Sequence, residues 1–200
     1  MMIMKELSIL ILTLPTRIDS YARLIKSLNL QVIQNNLINR VQILTLCDTK
    51  EISVGEKRNI LLNKSCGKYV CFIDDDDVIA PDYLIKIINA ISSNADVITF
   101  CGDYVENTIR TPFSISMVHR GNYNHTNIFY RLPNHLCPVK RQIALSCQFT
   151  DKNFGEDSDY ADKINIHLKN EYHIQDKLYF YMYDSNKSQT KPNNTLNAFN

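Results

Sequence analysis

The chain predicts an α/β protein built on a mostly parallel, doubly wound sheet, and three observations carry that expectation. Short Leu-, Ile- and Val-rich runs near residues 7–14, 41–47, 69–73 and 96–100 read as strands buried on both faces. Segments with helical spacing separate them, the pattern of crossover connections. The first three runs end in polar or charged residues, as they would if a ligand crevice lay at the carboxyl ends of the strands. The length of 200 residues suits one domain with a sizeable core. An apolar fraction of 44% and a charged fraction of 22% fall in the ordinary globular range. A net charge of +1, with Lys and Arg scattered, points away from nucleic acid and anionic membranes.

The elements follow in order. Residues 7–14, "LSILILTL", are stopped by Pro15. The run is too short to span a membrane, which takes about 20 residues. It also lacks the basic leader and small-residue cleavage site of a signal peptide, so it reads as a buried strand. From residue 19 to about 37, Tyr21, Leu24, Ile25, Leu28, Val32 and Ile33 recur at helical spacing, with Asp19 or Ser20 able to cap the start. Residues 41–47 form a second strand ending in Asp48. Residues 56–63 form a helix closed by a Cys66–Gly67 turn, and residues 69–73 a third strand. Pro81 and Asp82 open a helix through about residue 91, and 96–100 is a fourth strand.

Beyond residue 103 the Thr-, Tyr- and Asn-rich segments to about 132 suggest antiparallel strands and loops. Residues 139–147 and 157–168 read as helices and 177–183, "KLYFYMY", as a late strand. Residues 185–200 read as a polar, loosely held tail. Six cysteines without a C-x-x-C pair, most within apolar runs, suggest reduced thiols and a cytoplasmic setting.

The chemistry concentrates in "KYVCFIDDDDVIAPDYL", residues 68–84, where a buried strand runs into four consecutive aspartates. In extended chain Asp74 and Asp76 share one face, and paired carboxylates raise each other's pKa unless a cation lies between them. All-oxygen ligands of this kind favour Mg²⁺ or Mn²⁺. Capping of the next helix by Asp75 or Asp77 accounts for one carboxylate, not four. An EF-hand is excluded, because counting from Asp74 its glycine and glutamate positions hold Ile79 and Ile85.

The order of motifs, "ILTLPTR", a strand ending in Asp48, "GEKRNILLNKSCGKYVCFIDDDDVIAPDYL" and a later "NFGEDSDYADKI", resembles a family 2 glycosyltransferase of the GT-A fold over roughly residues 7–183. That resemblance implies a single domain over residues 1–184, with a nucleotide-binding half (1–102) and an acceptor-side half (103–184). Thr13, Pro15 and Arg17 would line the nucleotide pocket, Asp48 would accept a hydrogen bond from a pyrimidine base, and Arg58 would face the diphosphate. Asp74 and Asp75 would support the ribose and the metal shell, and Asp76 would ligate Mn²⁺ or Mg²⁺. Asp157 would be the catalytic base, with Glu156 beside it as an acceptor contact. His135 and Lys140, in "PNHLCPVKRQIA", are candidate phosphate or acceptor contacts. The implied reaction is inverting transfer of a sugar from a nucleotide donor, with a UDP-sugar favoured, to a hydroxyl of a glycan or other acceptor. The competing readings are a nucleotidyltransferase of related fold and an inactive nucleotide- or glycan-binding module. The family often has a His or Asn near the late strand, where this chain has Asp184, Ser185 and Asn186.

Overall fold

A computed structural model describes residues 5–183; the expected tail at 185–200 and Asp184, Ser185 and Asn186 lie outside them. In chain order the elements are β1 (Lys5–Thr13), α1 (Ile18–Gln34), β2 (Val41–Cys47), α2 (Val54–Lys64) and β3 (Gly67–Phe72). There follow β4 (Val78–Ile79), α3 (Tyr83–Ile91), β5 (Val97–Glu106), β6 (Ile109–Ile115), β7 (Tyr123–His125) and β8 (Ile128–Arg131). The chain continues through β9 (Val139–Lys140), α4 (Arg141–Cys147), α5 (Glu156–His167) and β10 (Glu171–Tyr183).

β1 lies between β2 and β3 and runs parallel to both, with Leu7, Ile9 and Leu10 fully buried. The chain moves one way across the sheet from β1 to β2 and back past β1 to β3. Right-handed crossovers therefore put α1 and α2 on opposite faces. α1 packs on α3, whereas α2 packs on α4 and α5, so the sheet is covered on both sides. β5 does not pair with β3 directly: the short antiparallel β9 bridges them through Val139. Along its other edge β5 pairs in parallel with β10.

Several boundaries differ from those expected. α1 starts after a tight turn at Pro15–Arg17, and neither Asp19 nor Ser20 caps it through a side chain. α2 begins at Val54 because the Ser53 hydroxyl accepts a hydrogen bond from the Glu56 amide. Gly67 belongs to β3 and does not close that helix. The segment expected as one helix over 139–147 opens with the two strand residues of β9. β6 is antiparallel to β5 as expected, but β6 and β8 run parallel. The division expected between residues 102 and 103 falls inside β5.

Two buried contacts fix the segment that carries the aspartates. Gln31 of α1 donates to the Ala80 carbonyl (2.9 Å) and accepts from the Leu84 amide (2.8 Å), which joins α1 to the start of α3. Tyr179 of β10 donates its hydroxyl proton to Asp77 (2.6 Å), whose other oxygen accepts from the Met182 amide (2.7 Å). Asp77 is thus a buried structural anchor, held above the usual carboxylate range by burial and by the charges of Asp74 and Asp76. The next helix is preceded by Asp82, so helix capping explains none of the four aspartates.

Candidate functional site

At the carboxyl ends of β1 and β3 a cleft of about 630 Å³ opens, its other side formed by the ends of β5 and β10. Thr13, Arg17, Arg58, Asp74, Asp75 and Asp76 line it together, as do Lys57, Tyr181 and Tyr183. Pro15 starts the tight turn that sets Arg17 in place, but it is exposed and does not line the cleft.

The acidic run divides its labour. Asp75 is almost fully buried, and its Oδ1 accepts from the Arg17 guanidinium at 2.8 Å while Oδ2 has no partner. The same Arg17 nitrogen lies 3.1 Å from Asp76 Oδ2. Asp76 is about one-third exposed and faces the cleft. Burial and the neighbouring charges of Asp74 and Asp75 push its carboxyl up to about 6, although Arg17 opposes them. Asp74 faces Arg58 at 3.4 Å and His135 at 3.7 Å. Burial raises its carboxyl, but His135 and Arg58 outweigh burial and hold it well below the usual carboxylate range.

Behind the cleft floor, Arg58 also contacts Glu156 at 3.3 Å, and its guanidinium lies 4.9 Å from the Phe72 ring centre and 5.5 Å from that of Phe149. Glu156 is buried and bound to Arg58, so it does not line the cleft as an acceptor contact would. Burial raises its carboxyl against the pull of Arg58. Gly155 takes a left-handed conformation (φ 73°), which turns the chain into α5 and directs Glu156 inward. Asp157 follows in the first turn, half-buried, with its Oδ1 accepting from the Ser158 amide; its charge acts on Arg58 and Glu156, and like Glu156 it does not line the cleft.

Asp48 does not line the cleft; it is bound to Lys57 at 2.8 Å, and Lys57 presents the pair to the cleft. Burial would raise the Asp48 carboxyl, but Lys57 holds it below its ordinary range. Lys140 is not brought to the site. Its ammonium is bound to Asp96 (2.9 Å), just before the start of β5 and remote from the carboxyl ends of β1 and β3. Lys57, Arg23, whose guanidinium donates to the Asp76 carbonyl (2.7 Å), and Tyr179 are site residues that the motifs do not single out. For Tyr179 a signal exists in the alternation of tyrosines at 179, 181 and 183, which puts them on one face of β10.

Among the described residues no group of three or more His, Cys, Asp or Glu is placed to hold a metal ion by itself. The oxygens of Asp75 and Asp76 nevertheless converge on a single cationic nitrogen, and one buried Asp75 oxygen is unpartnered. One or two carboxylates, with waters and substrate phosphates supplying the rest, is how Mg²⁺ is commonly held. The residues fit a cation shared between protein and a diphosphate. No helix among the described residues is long and apolar enough to cross a membrane.

The family model for glycosyl transferase family 2 matches residues 40–154, from the start of β2 to the loop before α5. Residues 1–349 of S. aureus TarS, solved with UDP-GlcNAc, superpose with a TM-score of 0.63 at 14% identity, covering 90% of this chain and 59% of that one. The same TarS fragment solved with UDP gives 0.62, again at 14% identity, over 90% of this chain and 61% of that one. The catalytic domain of Drosophila β1,4-galactosyltransferase 7, in complex with xylobiose, gives 0.59 at 12% identity, covering 96% of this chain and 77% of that domain. The chain therefore spans about three fifths of the TarS fragment and shares the GT-A fold of these enzymes. No curated protein matches the sequence significantly.

Proposed function

The chain belongs to glycosyl transferase family 2, and from that premise we propose that it transfers a sugar, with inversion, from a nucleoside diphosphate sugar to an acceptor hydroxyl. A UDP-sugar is the favoured donor and a glycan or other hydroxyl compound the acceptor. The observation that carries this reading is the meeting, at one cleft, of three carboxylates on a strand end, two guanidinium groups and the loop residues Asn153 and Phe154 that lead into α5. Thr13 and the Asp48–Lys57 pair flank the nucleoside end, and Arg17 and Arg58 face the diphosphate. A Mn²⁺ or Mg²⁺ ion held by Asp76 beside Asp75 would stabilise the charge that develops on the departing diphosphate.

Asp157 takes the proton from the acceptor hydroxyl as that oxygen attacks the anomeric carbon opposite the leaving group. A single base suffices for inversion by direct displacement. Glu156 acts through Arg58 as a positioning residue. Six free thiols, three of them buried, suit a reducing, cytoplasmic setting.

The test is turnover of a UDP-sugar panel, followed as UDP release, in the native protein and Asp157→Asn. Loss of at least about a hundredfold in turnover, with UDP affinity retained, is the expected result. Equal loss of UDP binding overturns the role of Asp157, and UDP binding without turnover of any UDP-sugar favours the inactive-module reading.

A further inference from the structure

We propose that Arg17 occupies the cation position of the free protein, so that a divalent ion enters only when a nucleoside diphosphate draws Arg17 away. This inference rests on the donor site described above and adds the order in which that site is filled. One Arg17 nitrogen lies 2.8 Å from Asp75 Oδ1 and 3.1 Å from Asp76 Oδ2. It stands where a cation bridging the two carboxylates would stand. Asp75 is 2% exposed, and its second oxygen has no partner. A buried carboxylate in that state needs a positive neighbour, and Arg17 is the one it has.

Arg17 is also free to leave. Its side chain is 27% exposed and lines the cleft, and it is carried by a three-residue turn between β1 and α1. Arg23 stays behind on the Asp76 carbonyl and keeps the acidic loop in place. A diphosphate in the cleft gives the Arg17 guanidinium an alternative bidentate partner. The two aspartates then lose their counter-charge just when phosphate oxygens arrive to complete the coordination of a divalent ion. Cation and diphosphate binding are coupled, and by linkage the coupling is reciprocal.

The experiment measures Mn²⁺ affinity from the free-ion electron paramagnetic resonance signal, with and without UDP, for the native protein, Arg17→Gln, Arg17→Lys and Arg17→Gln combined with Asp76→Asn. Without UDP, Arg17→Gln is expected to bind Mn²⁺ at least about tenfold more tightly than the native protein, because an adjacent positive charge is gone. UDP should tighten Mn²⁺ binding by the native protein by a larger factor than in Arg17→Gln, where ligation by the phosphates is the only gain left. Arg17→Lys, which keeps the charge, should behave like the native protein, and the added Asp76→Asn should remove the gain.

The thermal midpoint of Arg17→Gln should also rise with Mn²⁺ alone, a readout that shows whether the variant is folded. If Arg17→Gln binds Mn²⁺ no more tightly while the native protein with UDP binds it well, the inference fails and the donor site stands. If Mn²⁺ binds none of the proteins even with UDP, the metal-assisted reading fails along with it.

Discussion

Arg58 is the side chain on which the charge of the site converges: it is buried, stacked on Phe72 and Phe149, and shared between Asp74 and Glu156. Replacing it by Leu leaves the buried Glu156 without its counter-charge and Asp74 with His135 alone, so Arg58→Leu is expected to cost about 3–5 kcal/mol of folding stability in urea denaturation. Arg58→Lys should recover only part of that, since one ammonium cannot reproduce a planar fork reaching both carboxylates. A native-like midpoint for Arg58→Leu would show that the pairing contributes nothing. Arg17, Asp74 and Asp76 were legible in the sequence because they sit in a motif of fixed spacing. Glu156 and Lys140 carried suggestive chemistry whose partners decide their roles. Glu156 is taken by Arg58, 98 residues away, and Lys140 by Asp96, 44 residues away. No local pattern encodes such pairings.

At the scale of elements, β5 and its neighbours hold the half of the sheet that the sequence described least well. Asp96 ties three segments together: it binds Lys140 of β9 and accepts from the Lys169 amide, while its own amide donates to Asn170 before β10. These donors outweigh burial and hold the Asp96 carboxyl below its ordinary range. A depressed acid contributes stability that is present above its unfolded value and lost as pH falls through its folded value. Asp96→Asn should therefore cost about 2 kcal/mol near neutrality, and the deficit should shrink below about pH 4 as the native carboxyl protonates. Unfolding curves at the two pH values check this; a deficit independent of pH would remove the charge from the account.

β10 begins at Glu171, six residues before the run that announced it, because Glu171 and His173 satisfy themselves on Thr99 and Ser116 of the same sheet region. Polar side chains facing inward break the alternation that marks a strand. The close approach of α2 to the loop before α5 is a second such feature. A Cβ on Gly55 would collide with the Thr150 carbonyl, and the Gly55 amide donates to Lys152. Gly55→Ala should cost about 1–3 kcal/mol and displace the loop leading to Asp157, lowering turnover more than UDP affinity. Unchanged turnover would separate that loop from the chemistry.

For the whole molecule, the crossover order of β1, β2 and β3 brings the polar strand ends to one side, and β10 closes the cleft from the other. That arrangement was legible as a class of fold from buried runs and helical spacers. The antiparallel bridge β9 was not, since two residues carry no periodicity. The central claim is that this cleft takes a nucleoside diphosphate together with a divalent ion. The most direct measurement is the thermal midpoint of the native protein with UDP, dTDP, GDP and ADP, each with and without Mn²⁺. A ligand that binds only the folded state adds about 2.7 kcal/mol of stability at a hundredfold excess over its dissociation constant. The expected result is a rise for UDP that requires Mn²⁺ and is lost in Asp76→Ala; no rise with any nucleotide, with or without Mn²⁺, would mean that the cleft is not a donor site.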